Sequence, residues 1–310
     1  MARILGTQFS DFLFGTAFND EMYGFNGNDS MRTSAGSDYI DGGAGFDTAD
    51  YTNLGRGITI LPRGAVTKAG LGTDRLVNVE RIIAPIGQTN TIDGSSSTGI
   101  ASFTINLANS SLAINNTFVG RLSFTVQNFN NVIGTSNSDN ITGNSFSNLI
   151  SGLNGNDTLA GGAGNDGLSG GNGSDILIGN SGADVIVGDA GIDVLLGTDN
   201  VSRGSGEVDQ LTGGFDTDGF VLGDRSGGYY KFAGNIDRAR ITDFSGNDVI
   251  YLGVGELYAT QRTSQGFNLF TATNRGFDLV AEVRTTSFIG LPNSSFRLAS
   301  GQRFGSFVGA

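Results

Sequence analysis

Residues Gly152 to Leu196 read GLNGNDTLA GGAGNDGLS GGNGSDILI GNSGADVIV GDAGIDVLL when the chain is cut at every ninth position. Position 1 is Gly in every unit. Position 4 is also Gly: Gly155, Gly164, Gly173, Gly182 and Gly191. Position 6 is always Asp: Asp157, Asp166, Asp175, Asp184 and Asp193. Position 8 is always Leu or Ile. These columns predict a turn over positions 1 to 6, with glycine where φ must be positive or backbone must approach closely. Positions 7 to 9 then form a short strand whose middle residue points inward. Two units make one coil with a strand on each side. Stacked coils give two parallel sheets around a thin apolar core.

This stacking places Asp157, Asp175 and Asp193 above one another, and Asp166 and Asp184 in a second column. Strand spacing separates neighbours by roughly 5 Å. At that distance like charges repel by about 1 kcal/mol in water and several-fold more near a protein surface. No Lys or Arg lies between Arg121 and Arg203. A carboxylate ladder without counter-charge requires a cation. Carboxylates together with backbone carbonyls of Gly155, Gly164, Gly173 and Gly182 are oxygen-only ligands on turns, which suit several Ca2+ ions better than Mg2+. No soft ligand invites zinc or copper.

The units resemble the G-G-x-G-x-D-x-U-x nonapeptide of the RTX (repeats-in-toxin) calcium-binding family. That resemblance implies a parallel β-roll with Ca2+ between its turns and folding on calcium outside the cell. It also implies type I secretion through an uncleaved C-terminal signal, hence a secreted or cell-surface location. Toxins, proteases, lipases, epimerases and surface-layer proteins share the repeat, so the resemblance speaks to scaffold more than to role.

Composition narrows the functions. The chain has no Cys and no His, which removes disulfides, thiolate chemistry, the Ser-His-Asp triad and imidazole zinc sites. A net charge of −12 argues against nucleic acid and anionic membranes. No apolar run is long enough to span a membrane. The start, MARILGTQFSDF, has no apolar h-region, so no cleaved N-terminal signal is expected. The aspartates repeat, whereas glycosidase-like catalysis needs a unique pair with separated pKa values. The expectation is therefore a protein that is not an enzyme.

The nine-residue beat recurs in GTQFSDFLF GTAFNDEMY GFNGNDSMR TSAGSDYID GGAGFDTAD, residues 6–50. Asp29, Asp38 and Asp47 are candidate ligands there. Phe9 and Phe18 stand at position 4 of the first two units, and a bulky residue fits a positive-φ turn poorly. Those two turns are expected to bind metal weakly or not at all. GTSNSDNIT and GNSFSNLIS (134–151) are degenerate entry units, with Asn148 in place of Asp. GSGEVDQLT and GGFDTDGFV (204–221) end the series, with Asp216 replacing Gly at position 4. Over 51–133 the beat stops but strand-like alternation continues. VNVERIIA and QNFNNVIG align, as one element used twice. A β-solenoid without calcium turns is the first reading, an inserted sandwich the second. The tail 222–310 reads as β without nine-residue repeats, and its ITDFSGNDVIYLG resembles the segment that closes RTX modules. Tyr229, Tyr230 and Phe232 are read as core or capping, and Asp243 and Asp248 as turn or capping residues.

The expected architecture is thus all-β: a parallel β-roll or β-solenoid with two nonapeptide blocks (1–50 and 134–221), an intervening β segment (51–133) and a C-terminal β cap (222–310). Ile176, Ile178, Val185, Val187, Val194 and Leu196 are apolar at outward positions 7 and 9. The expectation is that the tail covers them, with self-association as the rival. The functional expectation is a secreted, non-enzymatic surface, matrix or adhesion component. The alternative is a polysaccharide-binding module, in which Arg56, Arg63, Lys68, Arg75 and Arg81 line one face and hold an acidic glycan.

Overall fold

The computed structural model describes residues 1–97, 99, 101–116, 120–198, 206–224, 227–230, 237–245, 247–253, 258–273, 276–285, 296–298 and 308–309. It is all-β; among the described residues the one helical turn is Pro62–Gly64. No helix there is long and apolar enough to cross a membrane. The chain divides into two compact units, 1–137 and 138–310.

In the first unit, strands eighteen residues apart pair in parallel: Arg3 with Glu21 and Met22 with Ile40 in one sheet, Leu13 with Met31 and Met31 with Ala49 in the other. Position 8 supplies the inward row, and Leu13, Met22, Met31, Ile40 and Ala49 are all buried. Each sheet then carries one three-stranded antiparallel excursion. Ile58–Leu61, Ala65–Lys68 and Gly72–Val77 form the first, and the last of these pairs in parallel with Tyr39–Asp41. Ser102–Asn106, Ser111–Asn116 and Gly120–Gln127 form the second, and its last strand pairs in parallel with Arg81–Ile83. The two aligned sequence elements sit at equivalent places, just after the returning strands. Asn78 and Asn128 both turn there with positive φ (50° and 65°).

The second unit holds the regular repeats. Its strands are longer than positions 7 to 9 predict. Leu149–Asn154, Thr158–Ala163, Gly167–Asn172, Ile176–Ser181 and Val185–Ala190 each run through positions 7 to 9 and on into positions 1 to 3 of the next unit. Positions 2 and 3 continue the parallel ladder, as in Leu153 with Gly171 and Asn154 with Asn172, so only positions 4 to 6 remain as the turn. Ile150, Leu159, Leu168, Leu177, Ile186 and Leu195 form the buried row.

The described tail strands lengthen these sheets instead of covering them. Arg238–Phe244 pairs in parallel with Val208–Phe215, and Val249–Leu252 with Gly219–Val221. Tyr258–Arg262, Gly266–Thr273 and Gly276–Thr285 form an antiparallel meander whose last strand joins Arg238–Phe244. The described tail backbone is therefore spent on sheet edges, and among the described residues no tail strand lies over the outer apolar residues as expected. Ile176 and Val185 are 43% and 46% exposed, and Ile178, Val187, Val194 and Leu196 are half-buried. Tyr229 and Tyr230 are buried as expected; Phe232 lies outside the described residues.

Leu177→Ala empties a fully buried site and should cost about 3 kcal/mol. Ile176→Ala, one residue away on the exposed side, should stay within about 0.5 kcal/mol of wild type. Thermal unfolding of the two variants in calcium checks both.

Candidate metal sites in the turns

Each repeat aspartate uses its two oxygens differently. Oδ1 accepts the backbone N–H of the position-6 residue eighteen places earlier. In one column Asp139 donates to Asp157, Asp157 to Asp175 and Asp175 to Asp193, at 2.7, 2.7 and 2.8 Å. In the other, Asn148 donates to Asp166 and Asp166 to Asp184, both at 2.7 Å. The same bond links Asp11 to Asp29 and Asp29 to Asp47 in the first unit, both at 2.8 Å. Oδ2 is different. In the glycine-flanked Asp29, Asp47, Asp157, Asp166, Asp175, Asp184 and Asp193 it is buried and has no hydrogen-bond partner; the same holds for Asp74, whose unit has Ala69 at position 1. A buried carboxylate oxygen left so is costly.

The glycines explain what surrounds that oxygen. Position 1 has ordinary φ, so conformational freedom is not its reason. A Cβ added to Gly152, Gly161, Gly170 or Gly179 would overlap Oδ2 of Asp157, Asp166, Asp175 or Asp184 and meet the carbonyl of the glycine eighteen residues on. The missing Cβ leaves a cradle between a carboxylate oxygen and a carbonyl. Position 4 is glycine for its backbone: φ is 121° at Gly155, 111° at Gly164, 135° at Gly173 and 127° at Gly182. The carbonyls of Gly155, Gly164 and Gly173 each face the position-4 glycine of the next turn in the column.

Position 2 separates the open turns from the first two. In the open turns it has positive φ: Phe25, Gly43, Leu153, Gly162, Gly171, Asn180 and Asp189. Where threonine stands there in the first two units, its N–H and hydroxyl close the carboxylate. Thr7 donates its N–H and hydroxyl to Asp11 Oδ2 (2.6 and 2.9 Å), and Thr16 does the same for Asp20 (2.6 and 2.8 Å). The first two turns are therefore closed, through threonine at position 2 and not through the bulk of Phe9 and Phe18. Asn148, the neutral residue at position 6, accepts the Asn144 N–H at 2.8 Å and returns its own amide to Asn144. Asp209 is closed by the Tyr230 hydroxyl at 2.5 Å.

Asp38 departs from the expectation that it resembles Asp29 and Asp47. Its Oδ2 is held by the Lys68 ammonium at 3.0 Å. Sequence reading also missed three ladder members. Asp74 accepts the Asp38 N–H, Glu80 accepts the Asp47 N–H and Asp248 accepts the Asp218 N–H, at 2.9, 2.8 and 3.0 Å. The signal for Asp74 was present: AGLGTDRLV (69–77) keeps Gly at position 4, Asp at 6 and Leu at 8. DFSGNDVIY (243–251) carries the same marks around Asp248, so the tail does hold one further unit.

Among the described residues no three carboxylates converge, so a cation in an open turn would draw mainly on carbonyls. Arg56, Arg63, Lys68, Arg75 and Arg81 do not line one face. Lys68 is buried, Arg75 stacks on Tyr39 in one sheet and Arg81 on Phe46 in the other.

Burial pushes four of the open carboxylates far above the usual aspartate range. Against the lowering effect of each N–H bond, and with neighbouring charges adding to the rise in all but Asp166, Asp157 reaches about 7, Asp166 about 6, Asp184 about 8 and Asp193 about 6. A raised folded-state pKa means that the folded chain binds more protons than the unfolded one. This contribution is complete below the unfolded value near 4 and is lost as pH climbs through the folded values. In EGTA, circular dichroism should therefore show β-structure weakening from pH 4 towards pH 8. Calcium should restore it at pH 8 and bind progressively less well towards pH 5.

The model of the RTX calcium-binding nonapeptide repeat matches this chain four times, over residues 5–40, 26–49, 133–168 and 168–195. These matches include all seven open aspartates. No curated protein matches. Among solved structures, the extracellular lipase LipA from Serratia marcescens aligns at 16% identity and a TM-score of 0.24, over 95% of this chain and 39% of the lipase. The chain thus spans about two fifths of that lipase's length, and a likeness so slight carries no argument. The RTX repeat binds Ca2+, and its recurrence implies several ions. Residues 5–49 and 133–195 match the RTX calcium-binding nonapeptide repeat.

Proposed function

We propose that the chain is a secreted, non-enzymatic β-roll whose fold is completed by calcium in its open turns. One observation carries this reading: seven buried aspartates each keep one oxygen unpaired beside a glycine cradle. Asp157, Asp166, Asp175, Asp184 and Asp193, with Asp29 and Asp47, supply the carboxylates. The turn glycines, including Gly155, Gly164, Gly173 and Gly182, supply carbonyls. These are hard oxygen donors on a flexible frame, the set that calcium accepts. The bound ion supplies the counter-charge that the sequence withholds.

Calcium then acts as a folding ligand. Where it is scarce, the uncompensated ladder holds the second unit away from its folded state. Where it is abundant, binding free energy becomes folding free energy. A chain that stays unfolded in the cell and folds outside it suits export, and a surface or matrix component is the role we assign.

A calcium titration followed by far-UV circular dichroism, with magnesium as control, tests this. A cooperative gain of β-structure specific to calcium is expected, and a chain fully folded in EGTA at pH 8 would overturn the reading. Asp175→Asn should lose about one ion per chain by calorimetry. Gly170→Ala should do the same, because its Cβ enters the cradle.

A further inference from the structure

We infer that Lys68 is a built-in cation: its ammonium occupies the place in the Asp38 turn that a divalent ion takes in the open turns, so this turn closes without calcium. The inference rests on the open-turn reading above. In the column Asp20–Asp38–Asp74, the N–H to Oδ1 ladder is the same as elsewhere, with Asp20 donating to Asp38 and Asp38 to Asp74, both at 2.9 Å. What differs is the second oxygen. Lys68 Nζ lies 3.0 Å from Asp38 Oδ2 and 2.5 Å from Asp74 Oδ1, and it donates to the Ser34 carbonyl at 2.7 Å. Two carboxylates and one turn carbonyl, all oxygen, surround one positive charge. The side chains of Lys68, Asp38 and Asp74 have no exposure to solvent.

The route by which Lys68 arrives is also built. The first antiparallel excursion brings Ala65–Lys68 back beside Gly72–Val77, with Lys68 opposite Gly72. Gly72, φ 115°, fits closely over the Gly36 carbonyl, as position-4 glycines do in the open turns. Asp38 thus faces its own excursion. An ammonium supplies one positive charge where a calcium ion supplies two, and it is covalently present at all calcium concentrations. Removing it leaves the Asp38 and Asp74 carboxylates and the Ser34 carbonyl as hard donors around an uncompensated charge, which describes a calcium site.

The test is Lys68→Met in the full chain, with calcium counted per chain by atomic emission after desalting and with melting curves in EGTA and in calcium. The variant should bind one ion more than wild type. It should melt earlier than wild type in EGTA and recover in calcium. Lys68→Met combined with Asp74→Asn removes a carboxylate with the ammonium, and it should lose the extra ion and melt later than Lys68→Met in EGTA. Equal ion counts in wild type and Lys68→Met, with several ions bound to both, would overturn this inference and leave the open turns standing. No ions on wild type but one on Lys68→Met would do the reverse. Amine acylation of wild type covers the case in which Lys68→Met does not fold. Lys68 and Lys231 are the two lysines, and Lys68 should stay unmodified in EGTA as in calcium. Acylation of Lys68 in EGTA, or only once calcium is added, would sink the proposal.

Discussion

The bond from a backbone N–H to a carboxylate oxygen eighteen residues further on organises both units. It ties each turn to the next, so the turns stack in register with the sheets beside them. It also fixes the aspartate side chain. Once Oδ1 is committed to the neighbouring turn, Oδ2 is held inside the column, beside the position-1 glycine. The bond that aligns the coils therefore creates the buried charge that must be answered.

The chain answers that charge in several ways, and the differences lie in single residues. Thr7 and Thr16 donate from position 2 to Asp11 and Asp20. Tyr230 donates a phenol to Asp209, and Lys68 an ammonium to Asp38. Between the excursions the position is held by Asn90, whose oxygen accepts the Ile58 N–H while its NH2 donates to the Pro85 and Asn128 carbonyls. An amide carries its own donor and satisfies the second half of the ladder without help. A carboxylate has acceptors only. Asp at position 6 with no donor from its own chain for Oδ2 is thus what needs a foreign cation, and it is concentrated in the regular repeats.

Much of this was legible in the sequence. The period, the inward position-8 row, the two parallel sheets and the aspartate columns follow from residues 152–196 alone, because each column has one physical requirement. Other features were hidden for identifiable reasons. Strands run on through positions 2 and 3 because backbone pairing is indifferent to the glycines there. The two glycine columns look alike in sequence, yet position 4 needs a positive φ and position 1 needs empty space. Asp38 reads like Asp29, and what separates them is a lysine thirty residues away, brought in by antiparallel pairing that the nine-residue beat does not encode. The described tail strands extend sheet edges where a cover was expected, because apolar strands carry no mark that distinguishes packing on a sheet face from extending a sheet edge.

A coil of this kind has little else to hold it. Each nine-residue unit buries one row side chain, which contributes about 1.5–3 kcal/mol. Ordering two backbone residues already costs about as much, and a unit rich in glycine orders more freedom than most. Backbone pairing offsets part of this, but an uncompensated buried carboxylate in every unit works against it. The open turns therefore sit where the fold is weakest without a ligand, and the closed turns sit elsewhere: Thr7 and Thr16 at the first coils, Lys68 at the first excursion, Asn148 at the entry to the regular repeats and Tyr230 after them. A ladder closed at such places has bonded turns from which further coils stack, and the repeats between them respond to the cation alone.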